Sequence, residues 1–90
     1  MDESGERRNL DLWKAIDDYD GDDFVARVET LAAELPAGSA VGLFERGCAQ
    51  DSTGNPDRAV PLYQAALDAG LSGLRRRLAR YAAQLTEKTP

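Results

Sequence analysis

The chain contains few side chains that could perform chemistry. Among its 90 residues there is one cysteine, Cys48, and there is no histidine. A nucleophilic cysteine needs a neighbouring base or strongly electropositive surroundings, and the sequence shows neither near Cys48. Without histidine, a histidine-based catalytic triad or metal site cannot form. We therefore interpret Cys48 as a small apolar residue of a helix, and we expect no catalytic residue, no cofactor and no metal site.

The densest run of acids, DDYDGDD at residues 17–23, has the composition of a calcium-binding loop. Such a loop requires acids at its first, third and fifth positions, glycine at the sixth and glutamate at the twelfth. When Gly21 is taken as the sixth position, the first is Ile16 and the twelfth is Arg27, and neither binds calcium. The run is therefore interpreted as a solvated turn, with Asp22 and Asp23 at the start of the next helix, where negative charge is favourable.

Arginines concentrate near the C-terminal end, at positions 75, 76, 77 and 80. The net charge of the whole chain is −5, but residues 1–35 carry a net charge of −7 and residues 36–90 a net charge of +2. The arginine-rich segment is expected to face solvent, and either to balance the acidic half or to receive an acidic segment of a partner. Because the chain as a whole is acidic and the arginine patch is short and lacks interleaved aromatics other than Tyr81, nucleic acid is not the expected partner.

Helices are expected to position these side chains. Apolar residues recur at three- and four-residue intervals, which predicts an all-α fold of about five helices. There is no 18-residue apolar run, no signal peptide and no cysteine pair, which predicts a cytoplasmic protein that does not enter a membrane. The excess of arginine over lysine suggests a GC-rich bacterial genome.

One domain is predicted at residues 9–85, between a disordered polar tail at residues 1–8 and a second tail at residues 86–90. Asn9 is expected to cap the first helix of this domain. The domain divides into a short helix over 9–19, a helix over 23–35, a helical hairpin over 39–70 and a last helix over 72–85.

The hairpin over residues 39–70 is the most clearly specified segment. The Ser39 hydroxyl can cap its first helix, and Gly54 stands where a left-handed residue would end that helix. Asn55 can cap the second helix, and Pro56 fits its first position, where no N–H is needed. Small residues are expected where the two helices cross closely, at Gly47, Ala59 and Ala66.

This hairpin resembles one unit of the tetratricopeptide repeat, over about residues 40–73. With Ala40 as the first position, the small, glycine, alanine and aromatic marks of the repeat fall on Gly47, Gly54, Ala59, Tyr63 and Ala66. The sequence departs from the repeat pattern at Arg46, Gln50 and Leu71. The resemblance implies a short right-handed array of antiparallel helical hairpins, with a partial repeat on either side of the complete one.

The fifth helix is expected to close the array. A shift of 35 residues aligns Leu43 with Leu78 and Gly47 with Ala82, as in the first helix of a further repeat. We predict that its apolar stripe packs on the second hairpin helix through Val60, Tyr63 and Leu67. The stripe consists of Leu74, Leu78, Tyr81 and Leu85.

The resemblance implies binding rather than catalysis. In that family the first helix of each repeat lines a concave face, and the matching positions here are Val41, Phe44, Cys48 and Asp51, followed by Arg76, Ala79 and Ala83 in the fifth helix. With Arg76 or Arg80 at its edge, such a groove would suit an apolar segment that carries an acid. The predicted function is a small adaptor that binds a peptide or protein segment. The alternative is a self-assembling module that forms a homodimer through its fifth helices.

Overall fold

A computed structural model describes the backbone of residues 1–88 and the side chains of residues 1–84. This part of the chain contains α-helices and turns without a strand, so the predicted all-α fold of five helices is confirmed. The helices are α1 (Glu3–Lys14), α2 (Gly21–Ala32), α3 (Ala40–Ser52), α4 (Pro56–Asp68) and α5 (Gly73–Lys88), and a short 3₁₀ turn (Ile16–Asp18) joins α1 to α2.

The N-terminal residues form a helix, so the predicted tail at residues 1–8 is wrong. The Asp2 carboxylate accepts a hydrogen bond from the backbone N–H of Gly5 at 2.7 Å and thereby caps α1, which begins at Glu3. Asn9, the predicted cap, lies buried in the middle of this helix. Arg8 pairs with Glu34, which follows α2, at 2.6 Å, so a segment without an apolar pattern still makes a tertiary contact.

The remaining helix ends differ from the prediction by a few residues. α2 begins at Gly21, two residues early, and ends at Ala32, where a turn replaces the predicted last helical turn up to residue 35. α5 continues through Lys88, so residues 86–88 of the predicted C-terminal tail have helical backbone. Residues 89–90 of that tail lie outside the described residues.

The hairpin of α3 and α4 follows the sequence closely. The Ser39 hydroxyl accepts a bond from the Gly42 N–H at 3.4 Å, Gly54 adopts the left-handed φ of +86°, and Pro56 is the first residue of α4. Asn55 stands at the capping position but makes no side-chain cap bond. A Cβ atom at Gly47 would lie 2.9 Å from the Tyr63 ring, so the two helices cross closely at this point, as predicted.

The core has two parts. The first joins α1, α2 and α3 and contains Phe24, Val28 and Ala49, and the rings of Trp13 and Phe24 form a T-shaped contact at 4.8 Å between centroids. The second joins α3, α4 and α5. It is made mostly of small and aromatic side chains, namely Phe44, Ala59, Tyr63, Ala66, Leu71, Ala79 and Ala83.

The fifth helix is rotated relative to the prediction. Its alanines face the core, since Ala79 is fully buried and Ala83 is 7% exposed. The predicted inward stripe instead faces solvent, with Leu74, Leu78 and Tyr81 exposed by 68%, 48% and 63%. The side chain of Leu85, its fourth member, lies outside the described side chains. Alanine lets α5 approach α4 more closely than a leucine stripe would, and this explains the difference.

The crossing of α3 and α4 should not tolerate a larger side chain. Ala59 is fully buried there. We expect Ala59→Leu to reduce the free energy of unfolding by about 1–3 kcal/mol, because the added methyl groups must displace packed neighbours. Urea unfolding followed by circular dichroism measures this loss. Ala26→Leu, at an exposed position of α2, serves as the control, and an unchanged midpoint for Ala59→Leu would contradict the close crossing.

Candidate functional site

A groove runs between α3 and α5 and is closed at one end by α1. Its volume is about 540 Å³. We call it the α3–α5 groove. Its lining residues are Glu6 from α1, the residues Ala40, Val41, Phe44 and Glu45 from α3, the connection Gly70, Leu71 and Ser72, and Leu74, Arg75 and Leu78 from α5.

The floor of the α3–α5 groove is apolar and fixed in place. Phe44 and Leu71 are buried there, and the Phe44 ring packs on the ring of Tyr63 at 6.0 Å between centroids. Val41 rises from α3 as a half-buried wall, and the exposed Leu74 and Leu78 form the opposite wall on α5. The groove therefore presents aliphatic walls to solvent on both sides of a rigid aromatic floor.

An ion-pair network lies at the α1 end of the groove. The Arg75 Nη2 donates to Glu6 Oε1 at 2.8 Å and to Glu45 Oε1 at 3.3 Å. The second oxygen of Glu45, Oε2, accepts from the Trp13 indole N–H at 3.1 Å. Glu45 is buried, and its two partners, Trp13 and Arg75, belong to α1 and α5. This carboxylate thus fixes the positions of three helices around the groove.

The network leaves the polar end of the groove with an excess of negative charge. Burial lowers the pKa of Arg75, but its hydrogen bond with Glu6 and the charges of Glu45 and Glu6 outweigh burial and raise the pKa overall. Arg75 therefore stays charged, and two carboxylates face its single positive charge. The half-exposed Glu6 is the acceptor that a bound segment can reach from solvent.

The structure brings two of the predicted site residues into the groove. Val41 and Phe44 line it, whereas Cys48 and Asp51, further along α3, do not. The exposed Asp51 accepts a hydrogen bond from the Tyr63 hydroxyl at 3.1 Å. Arg76 and Arg80 are exposed on α5 and also lie outside the groove lining. Ala79 and Ala83, the two other α5 residues at the contact positions of the repeat family, are buried against the core.

Sequence reasoning missed the polar end of the groove. Glu6 belongs to the segment interpreted as a tail, and Arg75 was one of four neighbouring arginines without a distinguishing feature. One signal was present for Glu45, because a carboxylate directly beside Phe44 interrupts the apolar side of α3 and calls for a cationic partner. The identity of that partner, 30 residues away in the sequence, could not be found from spacing.

Cys48 has no features of a nucleophile. Burial raises the pKa of its thiol to about 12, and the charges of Glu45 and Asp51 act in the same direction. The thiol is therefore protonated at neutral pH, while the reactive form of cysteine is the thiolate. Among the side chains of residues 1–84, no group of cysteines and carboxylates is arranged to hold a metal ion.

None of the helices in the described part of the chain is both long enough and apolar enough to cross a membrane. In a comparison with protein-family models, the model described as "Tetratrico peptide repeat" matches residues 40–87, which is more than half of the chain. Comparisons with curated proteins and with solved structures find no match.

Proposed function

The chain belongs to the tetratricopeptide repeat family, whose repeats form helical modules for protein interaction, and from this premise we propose that it is a small adaptor that holds a segment of a partner protein in the α3–α5 groove. The observation that carries the proposal is the groove wall on α5, where Leu74 and Leu78 leave 68% and 48% of their surface exposed above a buried aromatic floor. Apolar surface of this kind gains free energy when a partner covers it.

The groove favours a segment with apolar side chains and a hydrogen-bond donor at one end. Aliphatic groups of the segment would cover Val41, Leu74 and Leu78. A backbone N–H or a basic side chain would reach Glu6, because Arg75 already binds two carboxylates. The sequence analysis expects an acidic residue on the partner, but the described residues that line the groove include no unpaired cation. Such an acid would have to contact the arginines outside the groove.

The proposal includes no catalytic step. The chain has no histidine, and its single thiol is held in the protonated form. An adaptor needs only a preorganised surface, and the buried Glu45 supplies the rigidity by joining α1, α3 and α5. A cytoplasmic location fits a chain with one unpaired cysteine and is part of the proposal.

Photo-crosslinking in the cell of origin tests this function. A benzophenone amino acid at position 72, on the exposed rim of the groove, should give a discrete crosslinked product that contains a second protein. The same group at position 26, exposed on α2, should not give that product. Addition of Val41→Ser to the position-72 protein should lower the yield, because it removes part of the apolar wall.

Two results would argue against the adaptor. If positions 72 and 26 give the same diffuse products, the groove does not bind a specific segment. If the product at position 72 contains two copies of this chain, the homodimeric module is the better description.

A further inference from the structure

The side of α5 that faces away from the core is an unpartnered apolar surface in the described part of the chain. It consists of Leu74, Leu78 and Tyr81, spaced four and three residues apart and therefore on one side of the helix. We call it the α5 outer face. Leu74 and Leu78 also line the groove, whereas Tyr81 extends the apolar surface beyond it. A surface of three exposed large side chains in line has the spacing that an amphipathic helix recognises.

The hairpin of the same chain shows how a helix covers such a face. In the 35-residue register, Leu78 corresponds to Leu43 and Ala82 to Gly47. On α3, that side is covered by α4, whose Leu62 and Tyr63 come within reach of a Cβ at Gly47. On α5, none of the described helices takes the place of α4. The occupant that the fold accommodates at this position is therefore a helix laid along α5.

The charges beside the α5 outer face define the chemistry of that helix. Arg77 and Arg80 lie three residues apart on the flank opposite to Arg75, and both are exposed. Arg8, Arg46 and Arg75 each pair with a glutamate, but Arg77 and Arg80 have no ion pair among the side chains of residues 1–84. A partner helix that covers the leucines places its own flank against these two guanidinium groups, so acids on that flank are favoured.

A second copy of this chain is a poor occupant. In an antiparallel two-fold pair of α5 helices, the flank with Arg77 and Arg80 faces the same flank of the partner. In a parallel pair, it faces the flank that carries Arg75. The antiparallel arrangement opposes arginine with arginine, whereas in the parallel one Arg75 is already balanced by Glu6 and Glu45, and only the small contact area counts against it. In addition, three side chains cover much less than the roughly 800 Å² that each subunit of a stable complex buries.

We propose that the α5 outer face docks an acidic amphipathic helix of a partner protein, with the apolar residues of that helix on Leu74, Leu78 and Tyr81 and its acids on Arg77 and Arg80. The proposal rests on the proposed adaptor function for the existence of a protein partner. It adds a contact surface that shares Leu74 and Leu78 with the groove and extends beyond it to Tyr81, Arg77 and Arg80, and it gives the expected acidic partner a place to bind.

A labelled peptide tests the proposal. The probe is a fluorescein-labelled peptide with leucines at helical spacing on one side and glutamates along one flank, and the comparison peptide carries lysine in place of each glutamate. Fluorescence anisotropy with the full chain at low salt should show at least about tenfold tighter binding of the glutamate peptide. Raising the salt concentration should weaken that binding, because the arginines are exposed.

Matched variants separate a local contact from the overall charge of the protein. The double change Arg77→Glu and Arg80→Glu should abolish the preference for the glutamate peptide. The double change Arg7→Glu and Arg58→Glu alters the net charge equally, at exposed arginines of α1 and α4, and should preserve the preference. Tyr81→Ser should weaken binding of the glutamate peptide severalfold without reversing the preference.

Three outcomes would overturn the proposal. One is equal affinity for the two peptides, and another is an equal effect of the two arginine pairs. The third is a wild-type dimer in sedimentation that dissociates when Arg77 and Arg80 are changed, which would assign the face to a second copy. Crosslinking at position 72 reports the groove and the peptide titration reports the α5 outer face, so the failure of one experiment can be distinguished from the failure of the other.

Discussion

Ala79→Glu is expected to reduce the free energy of unfolding by about 3–5 kcal/mol, whereas Leu78→Glu, one residue earlier, should change it by about 0.5 kcal/mol or less. Ala79 lies on the side of α5 that packs on the core and is fully buried. A glutamate at this position must therefore either lose its hydration or separate the helices. Leu78 is 48% exposed, and a glutamate at its position can extend into solvent.

Urea unfolding of the two variants and the wild type measures the difference directly. For a 90-residue domain, total stability is about 5–13 kcal/mol, so the loss expected for Ala79→Glu is a large share of the total. The pair also tests the orientation of α5. If Leu78→Glu were the more damaging change, the leucine stripe would face the core, as the sequence pattern alone suggested.

Glu45→Ala should be the second large effect, with a loss of about 2–4 kcal/mol. The buried Glu45 carboxylate accepts bonds from Trp13 and Arg75, and its removal leaves the indole N–H without its partner and Arg75 with Glu6 alone. Glu45→Gln should recover part of the loss, because its amide oxygen can still accept from Trp13.

Glu34→Ala is the matched control for this prediction. Glu34 also pairs with an arginine, Arg8, but both side chains are about half exposed. Water screens that pair, so the urea midpoint of Glu34→Ala should lie close to that of the wild type. Equal losses for Glu45→Ala and Glu34→Ala would contradict the role of Glu45 as the joint between α1, α3 and α5.

The two predictions bear on the proposed binding surfaces in different ways. Glu45 holds the helices that border the α3–α5 groove, so its loss should loosen the groove together with the fold. Leu78→Glu retains the fold and places a charge between the groove and the α5 outer face. It should therefore abolish binding of an apolar segment in a protein that is still folded, which makes it a useful variant for partner studies.

The hairpin of α3 and α4 can be predicted from the order of residues alone. The signals there are local: a capping Ser39, a left-handed Gly54, a Pro56 at the helix start, and small residues at the crossing. Each acts within a few residues or between two helices adjacent in the chain, so spacing alone reveals it. The same register gave the family, and the match to residues 40–87 agrees with it.

The N-terminal helix and the polar end of the groove were decided by tertiary structure. α1 packs on the first part of the core through Leu12 and Trp13, and it pairs Arg8 with Glu34 and Glu6 with Arg75, partners that are 26 and 69 residues apart in the sequence. A charge pattern shows that such side chains exist but not which of them meet. For this reason a segment without apolar periodicity was interpreted as a tail, although it completes one end of the site.

The orientation of α5 likewise depends on packing between helices and not on its own sequence. Two sides of this helix have helical spacing, one with Leu74, Leu78 and Tyr81 and the other with Ala79 and Ala83. Hydrophobicity favours burying the leucines, but the structure buries Ala79 and Ala83 in one cluster with Ala59, Tyr63 and Ala66 of α4, and small side chains allow two helices to pack closely. The choice depends on the distance between two helices, which the order of residues does not contain, and its consequence is the exposed apolar face that we propose as a docking surface.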